Sequence, residues 1–273
     1  MTTVLWALLW FAVLGGVLGG LLALFCKLFA VKKDARVAEI DALLPNANCG
    51  GCGYSGCAAF AEAVVRGEAT PTGCRVASGE TLAAVGAVMG IEVKPIKRMR
   101  AQVMCSGTIA RTAKQYHYDG VRDCYAAAKL GGGDKACPNG CIGLGSCVAA
   151  CKFDALYIAD GIAHVRYDQC RGCGVCACTC PQGIIRLIPF DSKLWVGCVS
   201  AEKGALTKSY CTVGCVACKL CERVCPSGAI SVKHFRAIID YEKCTECGAC
   251  AAKCPRHIIK TAGHLQGAQT AHD

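Results

Sequence analysis

The sequence predicts an α+β chain of small, cluster-stabilised domains behind one N-terminal transmembrane helix. One four-cysteine domain comes first, followed by two tandem copies of a second cysteine-rich unit. Three observations carry this reading. Nine cysteines (Cys124, Cys137, Cys141, Cys147, Cys151, Cys170, Cys173, Cys176 and Cys180) recur 74 residues later as Cys198, Cys211, Cys215, Cys221, Cys225, Cys244, Cys247, Cys250 and Cys254. A fixed offset without gaps is an internal duplication. Cysteine makes up 26 of 273 residues, and Val4 to Cys26 runs without a charge.

Each copy ends in a motif with a mechanism. Cys170, Cys173, Cys176 and Cys180-Pro181 have the spacing C-x2-C-x2-C-x3-C-P of bacterial ferredoxins. Cys215, Cys218, Cys221 and Cys225-Pro226 repeat it, as do Cys244, Cys247, Cys250 and Cys254-Pro255. Two residues between ligands let three sulfurs wrap one corner of an iron–sulfur cube. The proline turns the chain away without offering a backbone donor. The two tandem units are therefore expected to be bacterial ferredoxin-like domains binding [4Fe-4S] clusters. Tetrahedral zinc on C-x2-C pairs is the competing reading, and three tandem runs ending in Cys-Pro weigh against it.

That cysteine density implies either disulfides or metal. No cleavable leader is visible, and the ferredoxin spacing selects metal in a reducing cytoplasm. Past residue 30 the chain is rich in Ala, Gly and Cys. A large aliphatic core is excluded, and the metal must supply folding free energy, leaving the apo chain largely unfolded. The formal charge of +10 treats every thiol as neutral. Five four-thiolate cubanes would add about −10 and cancel it. With no aromatic-interleaved basic stripe, nucleic-acid binding is not expected.

In chain order, residues 1–30 form the anchor. Its 23 uncharged residues exceed the roughly 20 that span a bilayer as a helix. Lys27, Lys32, Lys33 and Arg36 follow the span and none precedes it. That is the wrong order for a signal peptide; it places the N-terminus outside and the rest on the cytoplasmic side of the inner membrane. Gly15-Gly16 and Gly19-Gly20 offer a small-residue face for another membrane helix. Residues 31–90 form the four-cysteine domain, with a helix from Lys33 to Leu44. Cys49, Cys52, Cys57 and Cys74 make one complete ligand set, and Gly50, Gly51, Gly53 and Gly56 let the backbone fold tightly around it. Ala58 to Val65 reads as a helix. Residues 78–100 read as a mildly apolar linker, and 91–135 as a linker region holding the unassigned Cys105 and Cys124.

The two ferredoxin-like domains span 136–190 and 191–262, with a disordered tail over 263–273. In two-cluster ferredoxins the fourth cysteine of each run serves the other cluster. That rule groups Cys137, Cys141, Cys147 and Cys180, then Cys151, Cys170, Cys173 and Cys176. In the second unit it groups Cys215, Cys218, Cys221 and Cys254, then Cys225, Cys244, Cys247 and Cys250. Leu144 stands where the second unit has Cys218, so the first grouping is spread over a longer loop. Ile162–Tyr167 and Arg236–Tyr241 read as short strands of two-stranded ribbons. The total is about five clusters. Cys105, Cys124, Cys178, Cys198 and Cys211 are left over; a sixth set from Cys105, Cys124, Cys198 and Cys211 is arithmetically open, with buried free thiols the plainer expectation.

A closed four-thiolate cluster offers no open iron, and no acid–base or nucleotide-binding motif accompanies the array, so no catalytic residue is expected. Strung clusters pass single electrons. The combination of an N-terminal span, Cys49-Gly-Gly-Cys52-Gly-Tyr-Ser-Gly-Cys57, Lys135-Ala-Cys137 with Gly140-Cys141-Ile-Gly-Leu-Gly-Ser-Cys147, and ferredoxin repeats resembles the B subunit of the Rnf electron-transport complex, in its longer form. The resemblance implies membrane and cytoplasmic partner subunits carrying flavins and a nicotinamide site. It further implies electron transfer from soluble ferredoxin towards NAD, coupled to sodium or proton translocation. A component of a different membrane reductase or hydrogenase, and a structural zinc protein, are the alternatives.

Overall fold

The computed structural model describes residues 2–29, 34–94 and 96–261. Its first helix, α1 (Thr2–Leu28), has 27 residues. At 1.5 Å per residue it is about 40 Å long, longer than the roughly 30 Å hydrocarbon core of a bilayer. All its described side chains are exposed, and nothing lies within 4 Å of a Cβ built on Gly15, Gly16, Gly19 or Gly20. Lys32 and Lys33, used above for orientation, lie outside the described residues, as does the tail from residue 262.

The four-cysteine domain packs α2 (Ala35–Leu43), α3 (Cys57–Val65) and α4 (Gly79–Met89) around Ile40, Phe60, Val64, Leu82 and Val85. The helix expected from Lys33 begins at Ala35, where the Asp34 carboxylate accepts the Arg36 N–H and caps it. Helix α4 occupies half of the stretch read as a linker. Its Ser78 hydroxyl accepts the Thr81 N–H at the start, and Gly90 closes the end with φ +66°. Leu82 and Val85, three apart, supply its buried face.

Two ribbons build each ferredoxin-like unit. In the first, β1 (Met99–Val103) pairs antiparallel with β4 (Ile185–Pro189), and β2 (Leu156–Ala159) with β3 (Ile162–Val165). The short helices α5 (Cys124–Lys129), α6 (Ser146–Ala149) and α7 (Val175–Thr179) carry cysteines between them. In the second unit β5 (Leu194–Val196) pairs with β8 (Ile259–Thr261), and β6 (Ile230–Lys233) with β7 (Arg236–Ile239). Helices α8 (Gly204–Tyr210), α9 (Leu220–Arg223) and α10 (Ala249–Ala252) complete it. The strands read from alternation at 162–167 and 236–241 are present as β3 and β7, each two residues shorter. Strand β1 corrects the linker reading of the segment that holds it. Met99 pairs with Pro189 and Val103 with Ile185, far beyond the reach of any local pattern.

The units dock through buried polar and aromatic groups. Arg100 is 3% exposed and donates to the carbonyls of Phe190 (3.1 Å) and Ser192 (2.8 Å) and to Gln102 Oε1 (2.6 Å). Its guanidinium lies 4.0 Å from the Tyr167 ring centroid. Trp195 of β5 packs into the core of the first unit beside Ile188.

Candidate metal-cluster sites

Cysteine side chains gather in six places. The first cavity brings together Cys49, Cys52, Cys57 and Cys74, with Cys173 of the first ferredoxin-like unit on its wall. Asn48 sets the loop: its side-chain oxygen accepts the Cys57 N–H at 2.8 Å. Gly51 lies so close to Cys173 that a Cβ there would run into the Cys173 carbonyl.

Cys173, Cys170, Cys176 and Cys151 form the next group. Burial, together with the charges of its neighbours Cys173, Cys170, Cys147 and Cys151, pushes the Cys176 thiol up to about 12. Ala101 N–H of β1 donates to Cys170 Sγ at 3.3 Å. In the second unit Cys215, Cys218, Cys221 and Cys254 line one cavity, and Cys225, Cys244 and Cys250 enter the same core. Cys247 of the same motif is exposed.

Two groups differ from the crossover grouping. Cys141, Cys147 and Cys180 share their cavity with Cys124, not Cys137. Cys124 opens α5, and its N–H donates to Ser146 Oγ at 2.7 Å, while Ser146 Oγ donates to Asp123 at 2.9 Å. Asp123 also accepts the Ala126 N–H; these bonds hold its carboxyl below the usual range. Cys124 thereby brings to this cavity the fourth sulfur that Leu144 cannot supply. Cys137 lines a separate cavity with Cys105, Cys198 and Cys211.

That cavity lies between the two units and takes two cysteines from each. Cys105 and Cys198 both sit two residues beyond a ribbon strand, β1 and β5. Their sulfurs receive matching backbone bonds, Cys141 N–H to Cys105 Sγ (3.4 Å) and Cys215 N–H to Cys198 Sγ (3.3 Å). Lys135, 6% exposed, donates from Nζ to the carbonyls of Gly161 (2.7 Å) and Gly107 (3.3 Å) at its edge. The 74-residue frame pairs Cys198 with Cys124 and hides Cys105. The match shows instead in the fold, where Cys105 and Cys198 each follow a strand by the same two residues.

These settings fit iron–sulfur clusters. No Asp, Glu or His lines any of the four cysteine cavities. Burial raises Cys137 and Cys141 to about 11, and Cys147 and Cys198 to about 12. Desolvation keeps such thiols neutral until a cation compensates the thiolate. Among the described residues no three His, Cys, Asp or Glu side chains stand close enough to share one ion. A tetrahedral zinc needs its thiolates about 2.3 Å from a single atom, whereas a cubane spreads them over four corners. Backbone N–H groups donating to sulfur are the outer partners that tune such clusters. Cys178 is exposed, as is Cys26 on α1.

Comparison with known proteins agrees. Residues 44–76 match a family model described as a putative Fe-S cluster, and residues 214–259 a 4Fe-4S dicluster domain. The chain is 42% identical over 235 residues to the B subunit of the ion-translocating oxidoreductase complex of Methanosarcina acetivorans, covering 86% of this chain and 89% of the relative. It is 40% identical over 238 residues to the B subunit of the Na(+)-translocating ferredoxin:NAD(+) oxidoreductase complex of Acetobacterium woodii, covering 87% and 72%. The proton-translocating counterpart of Clostridium ljungdahlii is 38% identical, covering 86% and 84%.

Proposed function

The chain belongs to the family of B subunits of the Rnf complex, and from that premise we propose that it carries electrons from soluble ferredoxin to the membrane partners through six [4Fe-4S] clusters. It is an iron–sulfur electron-transfer component of an ion-translocating oxidoreductase, and the complex supplies its partner subunits. The cavity lined by Cys105, Cys137, Cys198 and Cys211 is the observation that carries the reading, as the sixth site. Without it, the cysteine groups of the two units are separate.

With it, the ligand sets form one series. The four-cysteine domain touches Cys173. Cys147 adjoins Cys176, Cys105 adjoins Cys141, and Cys198 adjoins Cys215. The bound clusters supply one-electron chemistry over a wide range of potentials. The protein's part is to fix their order, exclude water with Ala, Ile and Val, and donate N–H groups to sulfur.

The free end of the series is the second unit, where Cys218 and Cys247 are exposed. That end receives ferredoxin. The other end is the four-cysteine domain next to α1, which anchors the chain as a single span, with the cluster domains on the cytoplasmic side. Mixing the anaerobically purified, cluster-loaded chain with reduced ferredoxin tests the direction. The visible absorbance of the chain is expected to bleach within mixing; a chain that stays oxidised while ferredoxin stays reduced sinks the reading.

A further inference from the structure

Apart from the cysteine sites, the molecule holds a cavity of about 200 Å³ between the two ferredoxin-like units. A single water needs only about 10–15 Å³ by this measure. Its walls are β4 (Arg186, Ile188) and β7 with its flank (Arg236, Tyr241), and Cys198 reaches it from the bridging site. Two guanidiniums thus meet in one space. Among the described residues neither has a carboxylate within ion-pair distance. Burial first, and then the charge of Arg236, hold the Arg186 guanidinium below its usual value; Tyr241 is the remaining charge acting on it. Arg236 Nη1 donates to the Val199 carbonyl at 3.2 Å, while its Nε is buried without a hydrogen-bond partner. The Tyr241 hydroxyl is committed to the Leu194 carbonyl at 3.1 Å.

Like charges in a half-buried space repel, and a buried donor without an acceptor costs free energy. Both penalties vanish when an acceptor with two or more oxygens enters, because a guanidinium edge matches an oxyanion with paired N–H groups. We propose that this cavity is an oxyanion site, in which Arg186 and Arg236 hold a phosphate-, sulfate- or carboxylate-type group between the two units. The anion has two sources, a free solute or an acidic side chain of a partner subunit. Resting on the bridging cluster assigned above, a second consequence follows: Cys198 borders both spaces, so a bound anion disfavours an added electron there. By linkage, reduction weakens the anion in equal measure.

Calorimetric titration of the full-length, cluster-loaded chain with inorganic phosphate, sulfate and acetate, at ionic strength fixed with chloride, tests this. One saturable site is expected. Arg186→Gln and Arg236→Gln each weaken it at least about tenfold, Arg186→Lys retains part of the affinity, and the exposed neighbour Lys233→Gln leaves it unchanged. Equal iron content and visible spectra certify that the variants fold. The purified complex separates the sources: titration persists if the anion is a solute, and is lost if a partner's carboxylate fills the cavity. No saturable uptake of any of the three anions by the chain alone, or uptake that both glutamine variants leave intact, overturns the proposal. Binding that shifts no cluster midpoint keeps the oxyanion site and counts instead against the bridging cluster.

Discussion

The two ferredoxin-like units descend from one sequence, yet they solve the same coordination problem differently. The second keeps Cys218 in the regular run; the first has Leu144 there and brings Cys124 from α5 into the same cavity. Their surroundings differ as well. Cys173 of the first unit is covered by Gly51 of the four-cysteine domain, whereas its copy Cys247 is exposed. Duplication supplies a ligand frame, and the environment of each copy then decides whether that frame faces a neighbour within the chain or a partner outside it. A cysteine far in sequence replaces a near one when the fold delivers it to the same corner.

The largest effect that separates the units comes from Cys124. Cys124→Ala is expected to remove one cluster, about four iron atoms per chain. Adding Leu144→Cys to that variant gives the first unit the spacing of the second and is expected to return the iron. Retention of iron by Cys124→Ala alone would take Cys124 out of the ligand set and return Cys137 to it.

Next in size is the junction. Gly51→Ala places a methyl group against the Cys173 backbone. All clusters are expected to remain, while electron transfer from the ferredoxin-like units into the four-cysteine domain slows, read by freeze-quench spectroscopy after reduction. Unchanged kinetics would mean that the two domains communicate by another contact.

Arg100→Met addresses the joint between the units. Three hydrogen bonds from a buried cation are lost, two of them to carbonyls of the chain linking β4 to β5. A loss of about 3 kcal/mol is expected, seen as cluster release at lower denaturant concentration. The smallest effect is at Cys178, which the duplication does not repeat and which is exposed: Cys178→Ser should leave iron content and spectrum as they are.

Much of this is legible in the chain. The duplication, strands β3 and β7, the apolar first helix and the spacing of the regular cysteine runs are local features, where a few residues fix the geometry. Two things are not. Strand β1 pairs with β4 across most of the first unit, and a strand on its own carries no record of its partner. The crossover grouping also assigns Cys137 by analogy with ordinary two-cluster ferredoxins, whereas that residue lines the cavity shared with Cys198 and Cys211 of the second unit. The one sequence clue is the surplus of cysteines itself: the open sixth set named Cys124 beside Cys105, Cys198 and Cys211, and the structure exchanges it for Cys137.

Iron and acid-labile sulfide per chain, compared between the parent and Cys105→Ala after anaerobic purification, test the bridging site most directly. The account predicts about 24 of each in the parent and about 20 in the variant. About 20 in both would contradict it, leaving Cys105 a free thiol and the two units without a shared site.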